Sequence, residues 1–236
     1  MSKGLNIEAL IGCEESQTVC LAFRKLGIQA YSCDLQECSG GHPEWHIQGD
    51  LFKVIAEHPE IKLGIMHPPC TFLTITGNRW FSLPSGVYEK TLTGHDRVKA
   101  MTEAVQFVKD IWNCPIPKIV IENPIGKLSS LWRKPDQIIH PYYFGDPFHK
   151  LTCLWLKNTP PLYHNQEPNL FDEMVTHTEP EERYYWNDSK TGKKKSQPRW
   201  YAMAKQSGGN RGKIRSKSFP GISQAMAEQW APLINQ

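Results

Sequence analysis

The sequence predicts an α/β fold organised around a doubly wound, mostly parallel β-sheet. Short apolar runs alternate with helical patterns through about the first 160 residues, and no internal repeat is present. Strands separated by helices are typical of right-handed βαβ units, which cover a parallel sheet on both faces. Polar or proline-containing turns follow several of the apolar runs, where the carboxyl ends of the strands would lie.

The apolar runs predict the strands of this sheet. They are short and lack a clear alternation of polar and apolar residues, as expected for strands buried on both faces. In chain order they cover 6–12, 28–33, 63–67, 118–121 and 153–156.

Helical patterns fall between these runs, at 16–26, 51–57, 95–112 and 222–234. In the first of them, Ser16 is the expected N-cap and Gly27 the expected end. The longest is amphipathic, because its apolar residues recur near helical spacing. These residues are Val98, Met101, Val105, Val108 and Trp112.

The pattern weakens after about residue 160, where Pro, Asn and acidic residues give way to basic ones. We therefore expect a core of residues 1–159 and a basic, partly irregular insertion at 160–218. A C-terminal helix within 219–236 would return to the core.

Composition indicates a cytoplasmic protein. No apolar run approaches the roughly 18–20 residues that cross a membrane, and the N-terminus lacks a signal-peptide pattern. The seven cysteines are scattered, so disulfides are not expected. A loose cluster matches no common zinc spacing, and we expect no metal. Its members are Cys33, Cys38, His42 and His46.

The net charge of +3 conceals a basic block at 183–217, which holds eleven Lys or Arg and one acid. Tyr184, Tyr185, Trp186, Trp200 and Tyr201 lie within it. Basic and aromatic residues together are typical of a surface that contacts phosphates and stacks on bases. The alternative is a solvated, partly flexible loop. The candidate contacts to nucleic acid are Lys194, Arg199, Arg211 and Arg215.

Three strand ends offer groups for a nucleotide-like ligand. The turn at 12–16 leads into a helix, whose N-terminal amides would face the ligand, although it lacks a Gly-x-Gly pattern. Asp34 follows the second strand, where an acid commonly accepts a hydrogen bond from ribose; the alternative is a turn or helix cap. Asp50 would either cap the helix at 51–57 or contact an adenine amine.

A thiol and a carboxylate end two further strands. Pro68-Pro69-Cys70 follows the strand at 63–67, and its prolines force a stiff, extended exit from the sheet. Glu122-Asn123-Pro124 follows the strand at 118–121. Neighbouring strand ends would place Cys70 and Glu122 on one rim. A thiolate adding to pyrimidine C6 makes C5 nucleophilic, and an acid at N3 stabilises the adduct. The alternative for Cys70 is a buried structural thiol.

This order of motifs resembles the DNA cytosine-5 methyltransferases, especially their short phage-type members. The resemblance covers about residues 6–160. It implies a Rossmann-like S-adenosylmethionine-dependent methyltransferase sheet and a base flipped out of DNA. It also implies that Cys70 is the nucleophile, that Glu122 holds the N3 and N4 edge of cytosine, and that S-adenosylmethionine is the cofactor. The implied cofactor contacts are Gly12, Glu14, Asp34, Asp50 and Pro68.

The chain departs from that family at several places. The strand that leads to Pro-Pro-Cys begins Lys62-Leu63-Gly64, where the family commonly has an acid. The first turn reads Cys13-Glu14-Glu15-Ser16 where the family is usually glycine-rich, and the family's Gln-x-Arg-x-Arg segment is missing. By position, Lys150 is the substitute for its arginines. The setting would be the cytoplasm of a bacterium or a phage-infected cell.

The long segment at 71–94 shows no regular period and is interpreted as a lid. Arg79 would face phosphate and Trp80 a base, with Asn78 beside them. The alternative is an ordinary packed surface excursion.

Two other functions compete with methylation of cytosine in DNA. One is a DNA-binding or anti-defence protein on a degenerate methyltransferase scaffold. The other is a methyltransferase that acts on single strands or free cytosine nucleotides, since only the 160–218 insertion is available for duplex recognition.

Overall fold

A central seven-stranded sheet organises the protein in the computed structural model, which describes residues 4–165, 176–206 and 218–236. Its strands are accompanied by two separate hairpins. In chain order the strands are β1 (Ala9–Gly12), β2 (Ala30–Asp34), β3 (His46–Gln48), β4 (Leu63–Met66), β5 (Gly86–Tyr88), β6 (Thr91–Thr93), β7 (Lys118–Pro124), β8 (Gln137–Ile139), β9 (Thr152–Lys157), β10 (Arg183–Asn187) and β11 (Lys194–Pro198).

The strand order of the large sheet is β3-β2-β1-β4-β7-β9-β8. The strands from β3 to β7 pair in parallel, while β9 is antiparallel to both β7 and β8. The parallel part reverses its strand order between β1 and β4, as a doubly wound sheet does. The predicted α/β fold with a mostly parallel central sheet is confirmed.

Helices cover both faces of the sheet. The α-helices in the described ranges are α1 (Thr18–Lys25), α2 (Leu51–Glu57), α3 (Gly94–Asn113), α4 (Leu128–Leu131), α5 (Arg199–Gln206) and α6 (Pro220–Trp230). Buried side chains of α2 and α3 pack with Leu10 and Met66 on one face. Those of α1 and α6 pack with Ile11 and Ile65 on the other. Successive side chains of each strand therefore enter different layers, which explains their uninterrupted apolar sequences.

Helix α1 begins differently from the prediction. Its N-cap is Gln17 rather than Ser16, and Gln17 makes no capping side-chain hydrogen bond. The backbone of Gln17 is left-handed, with φ of 57°. The carboxylate of Glu14 instead accepts hydrogen bonds from the amides of Val19 and Cys20, at 2.7 and 3.2 Å. An acid upstream of the helix thus satisfies its first orphan donors.

Two segments hold more regular structure than predicted. The segment 71–94 contains a 3₁₀ helix, Ile75–Ser82, and the β5–β6 hairpin. The described part of 160–218 contains the β10–β11 hairpin followed by α5. These strands are short and, apart from Thr93, not buried, so they lack the apolar run by which a buried strand is recognised. In the described ranges, no helix has the length and apolar character needed to cross a membrane.

Candidate functional site

A cavity of about 120 Å³ lies beyond the carboxyl ends of β1, β4 and β7. Three chain segments line most of it, namely 13–16, 67–70 and 122–124, and Lys150 and Ser218 complete the wall. The parallel register causes this meeting, because Gly12 pairs with Met66 and Met66 with Ile121. Cys13, His67 and Glu122, which directly follow these paired residues, therefore reach the same rim.

The Pro-Pro-Cys and Glu-Asn-Pro segments are joined directly. The buried Asn123 donates its side-chain amide to the carbonyl of Pro68 at 2.8 Å. Farther along, the amide of Lys127 donates to the carbonyl of Leu73 at 2.7 Å. A side chain at Gly126 would collide with that same carbonyl, so the close approach requires glycine. The loop that carries Cys70 is thus linked both to the end of β7, which carries Glu122, and to the segment after it.

Cys70 differs from most of the other cysteines in its surroundings. It is half-buried and lines the cavity, and amides of Leu73 and Thr74 donate to its carbonyl. Burial raises the pKa of three other thiols to about 12, which keeps them protonated and poorly nucleophilic. These are Cys13, Cys20 and Cys33.

Glu122 lies in a pair with His67, whose Nδ1 is 3.2 Å from its Oε2. Burial by itself would raise the pKa of Glu122, but the hydrogen bond from His67 and the charge of Lys150 hold it below the usual value. Burial likewise opposes a charge on His67, yet Glu122 and Glu14 raise the pKa of this histidine. The pair therefore favours imidazolium and carboxylate, the charged forms.

Lys150 adds the third charge of this group. It lines the cavity with Cys70 and Glu122, and its Nζ lies 5.4 Å from the centre of the Phe219 ring. The three residues predicted to carry chemistry are therefore brought together at one cavity. Whether they act as predicted remains a prediction.

Glu14 also lines the cavity, but its carboxylate is 3% exposed and is engaged by α1. Burial raises its pKa above the usual value, despite the opposing charge of His67 and the two amides. Pro68, another predicted cofactor contact, is buried in the cavity wall.

The other predicted cofactor contacts lie outside this wall. A side chain at Gly12 would collide with Met66, so this glycine serves close packing of β1 against β4. Asp34 accepts from the amide of Gln36 at 2.9 Å. Asp50 caps α2 by accepting from Lys53 at 2.9 Å. Asp34 ends β2 and Asp50 lies two residues after the neighbouring strand β3, so both lie on the β2–β3 side of the sheet.

The predicted lid residues lie away from the cavity wall. Asn78 and Arg79 are exposed. The Arg79 guanidinium lies 4.1 Å above the Trp80 ring, which packs against Tyr88. The segment is anchored by Arg97 of α3, which was not singled out from the sequence. Its buried guanidinium donates to the carbonyls of Thr71 and Leu92 and to the hydroxyl of Thr91.

The β10–β11 hairpin presents aromatic and basic side chains to solvent. Tyr184 and Trp186 stack with ring centroids 5.9 Å apart, and Lys194 lies 4.7 Å from the Tyr185 ring centre. Arg199, at the start of α5, is exposed. Arg211 and Arg215 lie outside the described residues.

The hairpin and α5 are attached close to the cavity. Trp200 donates its indole N–H to the carbonyl of His149 and its amide to Glu181, at 3.1 and 2.9 Å. Since His149 precedes Lys150, the basic surface is tied to the segment that supplies a cavity charge.

The loose Cys/His cluster has protein partners. His46 faces the hydroxyl of Ser32 and the carbonyl of Gln36, while His42 pairs with Glu44. Cys33 donates to Gly49. Across the ranges that the structure describes, no group of three or more His, Cys, Asp or Glu is placed to hold a metal.

No protein-family model matches this sequence, and no curated protein does. Among solved structures, it is similar to a crystal structure of a provisionally named DNA modification methyltransferase encoded within a prophage (E. coli). The identity is 12% and the TM-score 0.41, over 78% of this chain and 61% of that one. The match thus spans less than two thirds of the other chain. Similarity at this level by itself says nothing about activity or substrate.

Proposed function

We propose that this protein transfers a methyl group from S-adenosylmethionine to C5 of cytosine in DNA. The observation that carries the proposal is the meeting of Cys70 and Glu122 at one cavity, with Cys70 in the loop after β4 and Glu122 near the end of the adjacent parallel strand β7. A thiol and an ionised acid beside a basic group suit covalent activation of a pyrimidine. The motifs that resemble DNA cytosine-5 methyltransferases supply the target base.

Cys70 is the nucleophile in this proposal. Its sulfur adds to C6 of cytosine, and the electron pair of the C5–C6 double bond moves towards C4 as N3 gains a proton. Glu122 binds the N3 and N4 edge of the base and stabilises the protonated adduct. Lys150 keeps the Glu122 carboxylate ionised before the base arrives, as its effect on the pKa of Glu122 indicates.

Two acidic side chains would bind one side of the cofactor. Asp34 and Asp50 each have one carboxylate oxygen engaged locally and lie on the β2–β3 side of the sheet. Glu14 and Pro68 line the same cavity as Cys70. When bound, S-adenosylmethionine would supply an electrophilic methyl group. Gly12 would contribute by keeping β1 close to β4 rather than by direct contact.

DNA contact is assigned to the basic and aromatic surface outside the core. Lys194 and Arg199 are exposed on the hairpin and α5, next to exposed aromatic rings. We include Arg211 and Arg215 in this surface from the sequence alone. Asn78, Arg79 and Trp80 form a second candidate contact on the 71–94 segment. In this division, residues 1–159 are the catalytic core and 219–236 complete it.

A methyl-transfer assay tests the proposal. Unmodified DNA is incubated with labelled S-adenosylmethionine, and modified cytosines are mapped at base resolution. Duplex DNA, single-stranded DNA and dCMP are compared as acceptors, which separates the main proposal from the alternative substrates. We expect label at cytosine C5 and none with Cys70→Ala; undiminished transfer by that variant would exclude the covalent mechanism.

The degenerate-scaffold alternative is favoured by the absent glycine-rich turn and by the capping role of Glu14, which occupies amides of α1. It predicts DNA binding without cofactor binding. Calorimetric titration with S-adenosylmethionine and trapping with DNA that contains 5-fluorocytosine distinguish the two. A covalent adduct that requires Cys70 rules out the degenerate scaffold.

A further inference from the structure

We infer that His67 is a positioning residue for Glu122. Its Nδ1–H holds the Glu122 carboxylate, and His67 carries the proton that passes through Glu122 to N3 of cytosine. The inference rests on the proposed function for its proton step. The pairing itself rests on geometry alone, and the two parts have separate tests.

The geometry is specific to the site. His67 directly precedes Pro68-Pro69-Cys70, and its backbone amide is fixed by the carbonyl of Gly12 at 2.9 Å. From there Nδ1 lies 3.2 Å from Oε2 of Glu122, with the two side chains only 11% and 15% exposed. An ionised carboxylate can only accept, so Nδ1 carries the proton.

Glu122 is the one side-chain partner that the His67 ring has among the described residues. Its other nitrogen, Nε2, is buried and makes no hydrogen bond there. If the ring served only to join β4 to β7, hydrogen bonds at both of its nitrogens would stabilise it more than one bond does. The ring is instead committed to the carboxylate that faces the cavity.

The surrounding charges favour the protonated form of His67. Glu14, from the β1–α1 turn, and Glu122, from β7, favour the imidazolium of His67, while Lys150 opposes it. Cys153 of β9 also lies near Glu122, but burial and that carboxylate raise its pKa to about 11, so it stays neutral. Two acids and two bases therefore line the same cavity as the proposed thiol nucleophile.

This arrangement also accounts for a departure in the sequence. The Gln-x-Arg-x-Arg segment of the similar methyltransferases is missing, and with it the arginines that assist catalysis. His67 and Lys150 place two cations beside Glu122 by another route. Unlike an arginine, a histidine can release its proton near neutral pH.

The proton leaves His67 and returns to it within one turnover. As the bond from the Cys70 thiolate sulfur to C6 forms, Nδ1 of His67 gives its proton to the Glu122 carboxylate, and Glu122 passes a proton to N3. After the methyl group has joined C5, the C5 proton passes to water, the C5–C6 double bond forms again, and the bond from sulfur to C6 breaks to restore the Cys70 thiolate. N3 then returns its proton through Glu122 to His67.

An NMR titration tests the pair without any need for activity. The His67 ring signals are assigned by their loss in His67→Gln, and the pH is varied in wild type and in Glu122→Gln. We expect the pKa of His67 to be above that of an ordinary histidine, about 6.5, and to fall in Glu122→Gln. A value at or below 6.5 that Glu122→Gln leaves unchanged overturns the inference.

The pH dependence of kcat/KM for methyl transfer tests the proton step. In wild type, activity should fall as the pH rises through the pKa of His67. His67→Gln should lower kcat about a hundredfold and abolish this alkaline limb, because glutamine does not titrate. An unchanged profile, merely scaled down, assigns His67 a structural role and overturns the step.

His58 offers a matched control. It is also buried, has Nδ1 2.8 Å from Glu60 and leaves Nε2 without a partner among the described residues. It follows α2, before the start of β4 and thus at the opposite end of that strand from His67. His58→Gln should keep kcat and the profile; equal losses in both variants count against His67. Inactive wild type overturns the proposed function and its proton step, while the titration still decides the pair.

Discussion

The side-chain amide of Asn123 donates a 2.8 Å hydrogen bond to the carbonyl of Pro68, deep between the ends of β4 and β7. Pro68 has a proline after it, and Pro69 has no N–H, so this stretch of backbone cannot be held by a sheet ladder. The asparagine replaces the missing ladder. One buried bond thus fixes the loop of Cys70 relative to Glu122.

Asn123→Ala should destabilise the protein by about 1–3 kcal/mol, because a buried carbonyl loses its partner. Urea denaturation at pH 7 measures this change. Under the proposed function, the rate of methyl transfer by the folded variant should also fall, since the thiol and carboxylate lose their mutual alignment.

The matched control is Asn158, whose side-chain amide donates to the carbonyl of Pro117 at the same distance, 2.8 Å, but on the surface. Its φ of 54° suits glycine. Asn158→Gly should therefore change the free energy of unfolding by less than about 0.5 kcal/mol. Similar losses in the two variants would contradict the special role of the buried bond.

Glu14 should behave as the N-terminal cap of α1. Glu14→Ala removes the acceptor of the Val19 and Cys20 amides and should cost about 1–2 kcal/mol in unfolding free energy. Glu14→Gln keeps one acceptor oxygen and should cost less. Because burial raises the pKa of Glu14, ionisation of Glu14 destabilises the fold. The unfolding free energy of wild type should therefore fall relative to that of Glu14→Gln as the pH rises through the folded pKa of Glu14. A larger loss for Gln than for Ala would contradict this account.

The His67–Glu122 pair should stabilise the protein within a defined pH window. The raised pKa of His67 gives stability that is present below about pH 6.5 and is lost as the pH rises through the higher folded value. The lowered pKa of Glu122 gives stability that is present above about pH 4.3 and is lost as the pH falls through the lower folded value. The difference in unfolding free energy between wild type and His67→Gln should therefore peak between these values. A difference independent of pH would refute the ion pair.

Arg97 should control the order of the 71–94 segment. Its guanidinium donates to Thr71, Thr91 and Leu92 while it packs against the rings of Phe72 and Phe81. Lysine cannot reproduce this planar fork. Arg97→Lys should cost about 2–3 kcal/mol and accelerate limited proteolysis within 71–94.

Arg133 serves as the control for that variant. It is 37% exposed and pairs with Asp136 near the surface. Arg133→Lys should cost less than about 1 kcal/mol and leave the proteolysis pattern unchanged. Equal cleavage rates in wild type and Arg97→Lys would show that the segment is held by other contacts.

Sequence patterns were sufficient for the buried strands and insufficient for the edges. β1, β2, β4, β7 and β9 contain apolar runs because layers of helices cover both faces. The strands β3 and β8 have three residues each, and both include exposed positions. Pairing with a longer neighbour determines them, and this tertiary effect leaves little local pattern.

The site was predictable where topology alone decides proximity. Cys70 and Glu122 follow strands that had to be neighbours in a doubly wound sheet, so a common rim was expected. The partners of Glu122 required side-chain geometry, since nothing local pairs His67 with a residue 55 positions away. Arg97 did leave a signal, because it lies at helical spacing from Met101, Val105 and Val108 on the buried side of α3.

The exposed face of the β10–β11 hairpin should bind nucleic acid by stacking as well as by charge. Tyr184 and Trp186 project from alternate positions of one strand and stack with each other, while Lys194 lies across Tyr185. Base stacking is worth about 1–3 kcal/mol per ring, so Tyr184→Ala with Trp186→Ala should weaken DNA binding at least tenfold. Lys194→Ala should instead reduce the salt dependence of binding.

Tyr163 offers the control. It is as exposed as Tyr184, 54% against 56%, but lies outside the hairpin. If Tyr163→Ala weakens binding as much in fluorescence anisotropy, the hairpin is not the contact surface.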